Sequence, residues 1–255
     1  MKYEDGKVYD QQTNGPYYQL WFEMIQHYLD IYLPNSGKVL DAGGGTGEFS
    51  IRAANLRSDI SVVNYDLSQS MLDSAKEKYS SLGLDSRIDN EQGDIMAMPF
   101  ENYSFEYVMC FGDALSFCTD LSLAFSELAR VTGKDRYLHL SVNSFWGNFH
   151  ALLGKGSDLG YSFSDIMDYY RSRILHKDGK STDCRSFTMN ELTEFGILHN
   201  LKIVRCFAAP VFPAHKDWLE DSDTAKKLRD FQFQHCEDKN LLEFGNHLNV
   251  IYKKQ

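Results

Sequence analysis

The stretch Val39-Leu40-Asp41-Ala42-Gly43-Gly44-Gly45-Thr46-Gly47-Glu48-Phe49-Ser50 constrains this chain more than any other. Its apolar start reads as a buried strand and its glycine cluster as a tight turn. The amphipathic spacing behind the glycines reads as a helix N-terminus. In open α/β sheets such a corner lies at the carboxyl edge, where nucleotide-like ligands bind. Residues without Cβ let the backbone take positive φ and let a ligand approach the main chain. The first N–H groups of the helix add donors and the positive end of its dipole.

The rest of the chain continues this unit. Strands are expected at residues 38–42, 60–65, 87–92, 105–111 and 137–142, with two more at 201–207 and 247–252. Helices are expected at 47–56, 68–82, 121–131 and 188–198; Ser68 would cap the second of these and Gly83 would stop it. An aromatic-rich helix over 17–32 precedes the first strand, and 217–243 reads as helical and charged. Such alternation predicts an α/β class: a Rossmann-like, seven-stranded, mostly parallel sheet with helices on both faces. The alternation lapses over 145–185, apart from a helix near 164–175. We read one domain over 1–255, with an N-terminal helical cap (1–36) and a lid over 145–187 inserted after strand five.

Length and charge narrow the class. A chain of 255 residues can bury one large α/β core. With a net charge of −10 and no basic run, nucleic acid and anionic membranes are poor partners. No apolar run approaches the roughly 18 residues needed to span a bilayer. The polar N-terminus does not read as a secretory signal, and the five scattered cysteines include no C-x-x-C pair. These features fit a cytoplasmic protein with reduced thiols. The oligomeric state is left open.

The glycine corner discriminates among ligands. A dinucleotide fingerprint requires G-x-G-x-x-G; here Glu48 occupies the third glycine position, where its charge opposes a pyrophosphate. This weighs against an NAD-dependent oxidoreductase. No Gly-Lys-Ser/Thr follows, so the corner is not a P-loop. Asp41 and Glu48 flank the glycines, Asp66 ends the second strand and Asp94 the third. Carboxylates in these places suit a cationic ligand with an amine, a sulfonium and ribose hydroxyls.

Residues 39–49 resemble the first motif of class I S-adenosylmethionine-dependent methyltransferases, an acid, a spacer and G-x-G-x-G after strand one. Asp66 is similar to that family's acid that binds the ribose. Gly93-Asp94-Ile95 resembles the motif flanking the adenine, and Phe111-Gly112-Asp113-Ala114 the strand-four motif beside the methionine part and the methyl group. Tyr9-Asp10 resembles an N-terminal segment that closes over the cofactor. The resemblance implies S-adenosyl-L-methionine as cofactor and the strand order 3-2-1-4-5-7-6. It further implies cofactor contacts from Tyr9, Asp41, Gly43, Gly44, Gly45, Gly47, Asp66, Leu67, Met71, Gly93, Asp94, Ile95, Phe111, Gly112, Asp113 and Ser116. Simpler structural roles stand beside these. Asp66 could be a helix cap, Asp94 a turn residue, Asp113 a cap of the next helix and Tyr9 a tail aromatic.

The acceptor side is harder to read. Methyl transfer is an in-line displacement, and a general base is required only when the acceptor must lose a proton. His139 falls in mid-strand and reads as a sheet histidine, while His150, His176, His215 and His247 read as surface histidines. His150 and His215 are the weak base candidates. No spacing joins a histidine to an acid, and no metal-ligand cluster is visible. A pocket between the lid, the aromatic helix and the 210–218 loop would be lined by Trp21, Phe117, Trp146, Phe149, Tyr169 and Tyr170. It suggests a small, partly apolar or aromatic acceptor. The expected function is methyl transfer from S-adenosylmethionine to a small molecule; the alternative is a non-catalytic S-adenosylmethionine-binding protein.

Overall fold

The computed structural model describes residues 5–177, 180–214 and 216–255. Two helices open the chain, α1 (Gly6–Gln12) and α2 (Pro16–Tyr32). Then come β1 (Ser36–Ala42), α3 (Glu48–Leu56), β2 (Asp59–Asp66), α4 (Gln69–Leu82), β3 (Ile88–Gln92), β4 (Phe105–Cys110), α5 (Leu121–Val131) and β5 (Thr132–Asn143). An insertion follows: α6 (Phe145–Lys155), α7 (Phe163–Ser172) and the hairpin of β6 (Ile174–Lys177) with β7 (Lys180–Arg185). The chain closes with α8 (Met189–Leu198), β8 (Leu201–Ala208), α9 (Lys216–Glu220), α10 (Ser222–His235) and β9 (His247–Lys254).

Seven strands form one sheet in the order β3-β2-β1-β4-β5-β9-β8. The five strands from β1 to β5 run parallel; β9 is antiparallel to both β5 and β8. Counted within this sheet the order is the 3-2-1-4-5-7-6 implied by the family resemblance. The reversal of β9 has a functional consequence. Its first residue, His247, pairs with Asn143 at the end of β5, so β9 begins at the carboxyl edge where the glycine corner lies.

Local chemistry explains the elements. Pro16 stands in the first turn of α2, where its missing N–H costs nothing. Leu20, Trp21, Phe22, Met24, Ile25, Tyr28 and Leu29 recur at helical spacing and are buried. They pack with Val39, Met109, Phe111, Phe207 and Ile251 on one face of the sheet. The opposite face buries Leu40, Val63, Val108, Leu138 and Val250 with Phe125 and Leu128 of α5 and Leu192 of α8. Ser68 caps α4 through Met71 N, and Gly83 ends it in the left-handed region (φ 67°).

Several elements depart from the sequence reading. Helix α1 lies in the expected polar tail; Asp5 caps it by accepting from Lys7 N and Val8 N. Strand β5 starts at Thr132, earlier than residue 137, and its pairing with β4 shifts register between Phe105 and Tyr107. That irregularity hides the polar first half of β5 from any alternation rule. The charged 217–243 segment resolves into α9, α10 and a short 3-10 turn (Leu242–Phe244). The insertion builds its own small cluster from Phe145, Leu152, Ile166 and Tyr169.

Candidate functional site

The corner is built by hydrogen bonds that fold the chain back at the end of β1. Gly43 N donates to Tyr65 O (2.7 Å), and Gly47 N donates to Gly44 O (2.9 Å). Gly47, at φ 77°, is the N-cap of α3, and the space where its Cβ would stand is filled by the Tyr79 hydroxyl. Only glycine meets both demands. Gly44 is equally crowded, by Asn64 Oδ1 and the Asp41 carboxyl group.

The carboxylates around this turn are held by the chain itself. Asp41 is fully buried and accepts from Ser50 Oγ (2.7 Å). Burial is the chief cause that pushes its pKa up to about 7. Asp66 accepts from Gly45 N (2.9 Å) on one oxygen and from Ser68 N (2.8 Å) on the other. Its pKa is raised, mainly by burial and against the pull of those two bonds. Asp94 accepts from Met96 N (2.9 Å) and caps the turn Ile95–Ala97. The structural roles therefore coexist with a free lone pair on each oxygen, and the helix cap is Ser68, not Asp66. Glu48 is paired with Arg52 (2.8 Å), which weakens the charge argument resting on Glu48 alone.

These groups surround a cavity of about 400 Å³, within the size range of small-molecule sites. Of the expected cofactor contacts, Tyr9, Asp41, Gly43, Gly44, Gly45, Asp66, Leu67, Met71, Gly93, Asp94, Ile95, Phe111 and Gly112 line it. Gly47, Asp113 and Ser116 do not; Gly47 is taken up by Tyr79, and the other two are buried behind Gly112 and Ala114. Tyr9 reaches the cavity because α1 is tied down. Asp10 Oδ1 accepts from Thr46 Oγ1 (2.6 Å) and from Lys78 Nζ (3.0 Å). The far end of the cavity is walled by Trp21, Phe22, Phe49, Phe111, Phe117 and Cys118. Burial raises the Cys118 thiol to about 12, so it is neutral. Asp41, Glu48, Asp66 and Asp94 face this space, and no Lys, Arg or His among the described residues lines it.

The acceptor residues fall out differently from the sequence reading. Trp21 and Phe117 line the cavity; Trp146, Phe149, Tyr169 and Tyr170 do not. Tyr169 is buried in the insertion, with its hydroxyl donating to Ser186 Oγ (2.7 Å). Trp146, Phe149 and Tyr170 pack on one another edge-on or tilted, and Phe149 stacks on Phe145, at the insertion surface. His150 is exposed beside Phe244, and His215 lies outside the described residues. His139 is buried with Nδ1 2.9 Å from the Tyr107 hydroxyl; burial lowers its pKa to about 3, so it is a neutral sheet histidine.

His247 is the residue that sequence reasoning misplaced. It is half-buried rather than at the surface, and its Nε2 lies 3.2 Å from Asp113 Oδ2. The two residues are 134 positions apart, so no spacing rule could join them. Among the described residues, no group of three or more His, Cys, Asp or Glu is placed to hold a metal ion. No described helix is long and apolar enough to cross a membrane.

Comparisons with known proteins address the same region. Residues 39–135 match a family model described as a methyltransferase domain. The chain is 31% identical over 101 residues to the ubiquinone/menaquinone biosynthesis C-methyltransferase UbiE of Dinoroseobacter shibae, covering 39% of each chain. It is 40% identical over 113 residues to the malonyl-[acyl-carrier protein] O-methyltransferase of Erwinia billingiae, covering 42% of this chain and 40% of that one. The chain thus spans about two fifths of the length of these curated relatives. In fold it is similar to the geranyl diphosphate C-methyltransferase of Streptomyces coelicolor, solved with Mg2+, geranyl diphosphate and S-adenosyl-L-homocysteine. That likeness has a TM-score of 0.61 at 12% identity and covers 91% of this chain and 78% of the other.

Proposed function

We propose that this chain, whose residues 39–135 match the methyltransferase-domain model, is an S-adenosylmethionine-dependent methyltransferase acting on a small molecule. The observation that carries this is the acidic lining of the cavity: Asp66 and Asp94, with Asp41 and the Arg52-paired Glu48, no Lys, Arg or His among the described residues, and a glycine turn beneath them. A pyrophosphate is repelled by such a wall, whereas an amino acid ammonium and a sulfonium are attracted. An approaching cation also favours the charged form of Asp41, offsetting the burial that raises it. Asp66 would take the ribose hydroxyls, since each of its oxygens keeps a lone pair beyond its backbone bond. Gly93, Asp94 and Ile95 would flank the adenine, and Tyr9 would close the near side. When bound, S-adenosylmethionine supplies an electrophilic methyl group. The protein's share is alignment and exclusion of water by the aromatic end of the cavity.

The same wall supports a reading of the acceptor class. Malonyl and diphosphate groups, carried by the acceptors named for two of the relatives, are anionic. The ring-lined, cation-free end of this cavity favours an uncharged acceptor with a flat apolar body. Titration calorimetry with S-adenosylmethionine, S-adenosylhomocysteine and NADH tests the cofactor; binding of NADH alone overturns the proposal. Incubation with methyl-labelled donor and fractionated metabolites tests turnover. Cofactor binding without any labelled product would favour the non-catalytic alternative.

A further inference from the structure

Helix α1 covers part of the cavity, yet it is held to the body chiefly by polar contacts. Gly6 is its one buried residue, and its one aliphatic side chain, Val8, is exposed. Asp10 Oδ1 accepts from Thr46 Oγ1 (2.6 Å) and from Lys78 Nζ (3.0 Å), and Lys7 pairs with Glu77 (3.1 Å). Glu77 and Lys78 belong to α4. Thr46 is buried in the glycine turn and lines the cavity, so this latch is anchored inside the cofactor seat. The start of α1 presses closely on α4 and the turn. A Cβ on Gly6 would stand 2.7 Å from Ser74 Cβ and 3.1 Å from Thr46 Cγ2. From this footing Tyr9 reaches across. It lines the cavity, and its hydroxyl lies 3.8 Å from where a Cβ of Gly112 would be. Helix α4 packs beside β2 and β3, whereas Gly112 follows β4. The Tyr9 side chain therefore spans the carboxyl end of β1, which lies between β2 and β4. An element that covers a ligand site and buries little apolar surface opens at low free-energy cost.

Resting on the methyltransferase reading, we propose that α1 is a latched gate on the cofactor seat, and that Asp10 is the positioning residue that holds Tyr9 closed over it. The cofactor enters and leaves when Asp10 releases Thr46 and Lys78 and α1 lifts from α4. No bond in this latch is made to the cofactor. The latch therefore opposes opening whether or not the seat is filled, and it slows entry and exit together. Its two bonds differ in kind. The Thr46 hydroxyl makes a short, charge-assisted bond from a buried position. The Lys78 pair is about a third exposed on both sides (30% and 35%), so salt screens it. Gly6 acts through shape, because a side chain there wedges α1 away from Ser74. Alanine is a better helix former than glycine. A purely local role for Gly6 thus predicts a firmer α1 in Gly6→Ala, whereas the gate predicts a looser one. A gate that slows release keeps the methyl donor aligned through the transfer, which is the protein's main share in this reaction.

Exchange kinetics of the full-length protein test this in wild type, Asp10→Ala, Lys78→Met and Gly6→Ala. Labelled S-adenosylhomocysteine chased with unlabelled excess gives the dissociation rate. Calorimetry gives Kd, and the ratio of the two gives the association rate. Asp10→Ala should speed dissociation by about 10-fold or more, the scale of a lost hydrogen bond to a charged group. Association should rise in step, leaving Kd within about threefold. Lys78→Met should do the same by about 2–5-fold, the scale of an exposed ion pair. Gly6→Ala should also speed both rates, although it removes no bond. Raising salt from about 0.05 to about 0.5 M should speed dissociation more from wild type than from Lys78→Met. Urea unfolding should stay close to wild type in all three variants, since α1 buries no apolar side chain. A rise in Kd that matches faster dissociation, with association unchanged, would make Asp10 part of the seat and not of a gate. Unchanged rates in Asp10→Ala would show that α1 does not control passage. Either result, or slower exchange in Gly6→Ala, overturns the proposal. A wild type that binds no S-adenosylhomocysteine overturns the methyltransferase reading beneath it.

Discussion

The carboxylates that line the cavity and the buried Asp113 outside its lining are held in opposite ways. At the glycine corner, Asp41, Asp66 and Asp94 each accept a hydrogen bond from the chain itself, and Asp66 has both oxygens engaged. Asp113, which does not line the cavity, has one oxygen on His247 and one buried with no hydrogen-bond partner among the described residues. The corner is thus pre-organised by local chain geometry, within the span from β1 to the turn after β3. The far end is walled by rings from α2, α3 and the segment after β4, and the buried Asp113–His247 contact lies outside that lining.

If the corner is rigid because its turn admits only glycine, Gly47→Val should damage it most. The new side chain meets positive φ and the Tyr79 ring. Left-handed strain and overpacking together cost about 2–5 kcal/mol, to be read by urea unfolding. A variant as stable as wild type would show that the corner yields. Asp66→Ala comes next. It should weaken S-adenosylmethionine binding by about 1–3 kcal/mol, the scale of hydrogen bonds to a charged group. Calorimetry on the folded variant checks this, and unchanged affinity would place the ribose elsewhere.

The same contrast explains what could be read from the sequence. The corner was readable because its parts are contiguous: strand, glycines and helix within 39–50, then acids at successive strand ends. The alternation itself implied only a mostly parallel sheet; the strand order came from the family resemblance and agrees with the sheet observed. Asp113 was readable as a member of the strand-four motif, but its partner was not, since only the antiparallel return of β9 brings His247 to it. The pairing of His247 with Asn143 across two strands has no trace in local spacing. The insertion misled for a different reason. Rings such as Trp146, Phe149, Tyr169 and Tyr170 are equally suited to lining a pocket and to packing with one another, and here they pack. Helix α1 escaped because a seven-residue polar helix has no apolar period, and it is held by Asp10 and Asp5 instead.

Two buried ionisable groups, one under each end of the cavity, should oppose each other as pH falls. Asp41, raised to about 7 from 3.8, binds a proton in the folded state before it does in the unfolded chain. Stability from this group therefore rises as pH drops from 7 to 5. His139, lowered to about 3 from 6.5, stays neutral when folded and is protonated when unfolded. Its contribution is present above the unfolded value and is lost as pH drops through it. Each effect is about 2 kcal/mol over that interval, at 1.36 kcal/mol per unit of pKa difference. Relative to wild type, Asp41→Asn should lose stability on acidification from pH 7 to 5, and His139→Gln should gain it. Parallel slopes in all three proteins would remove both assignments.

The smallest effect is expected where the sequence reading and the geometry disagree most. Trp146 is 40% exposed and makes its ring contacts with Phe145, Phe149 and Tyr170, all within the insertion. If the far end is walled by α2, α3 and the segment after β4, removing this ring touches neither end of the cavity. Trp146→Ala should then change unfolding free energy by no more than about 0.5 kcal/mol, as a surface substitution does. It should leave S-adenosylhomocysteine affinity and the acceptor KM within about twofold, since twofold is about 0.4 kcal/mol. A KM increase of tenfold or more at unchanged cofactor affinity would show the insertion closing over the acceptor. The wall would then have a fourth element, and the contrast between a pre-organised corner and its ring-lined far end would extend to a moving part.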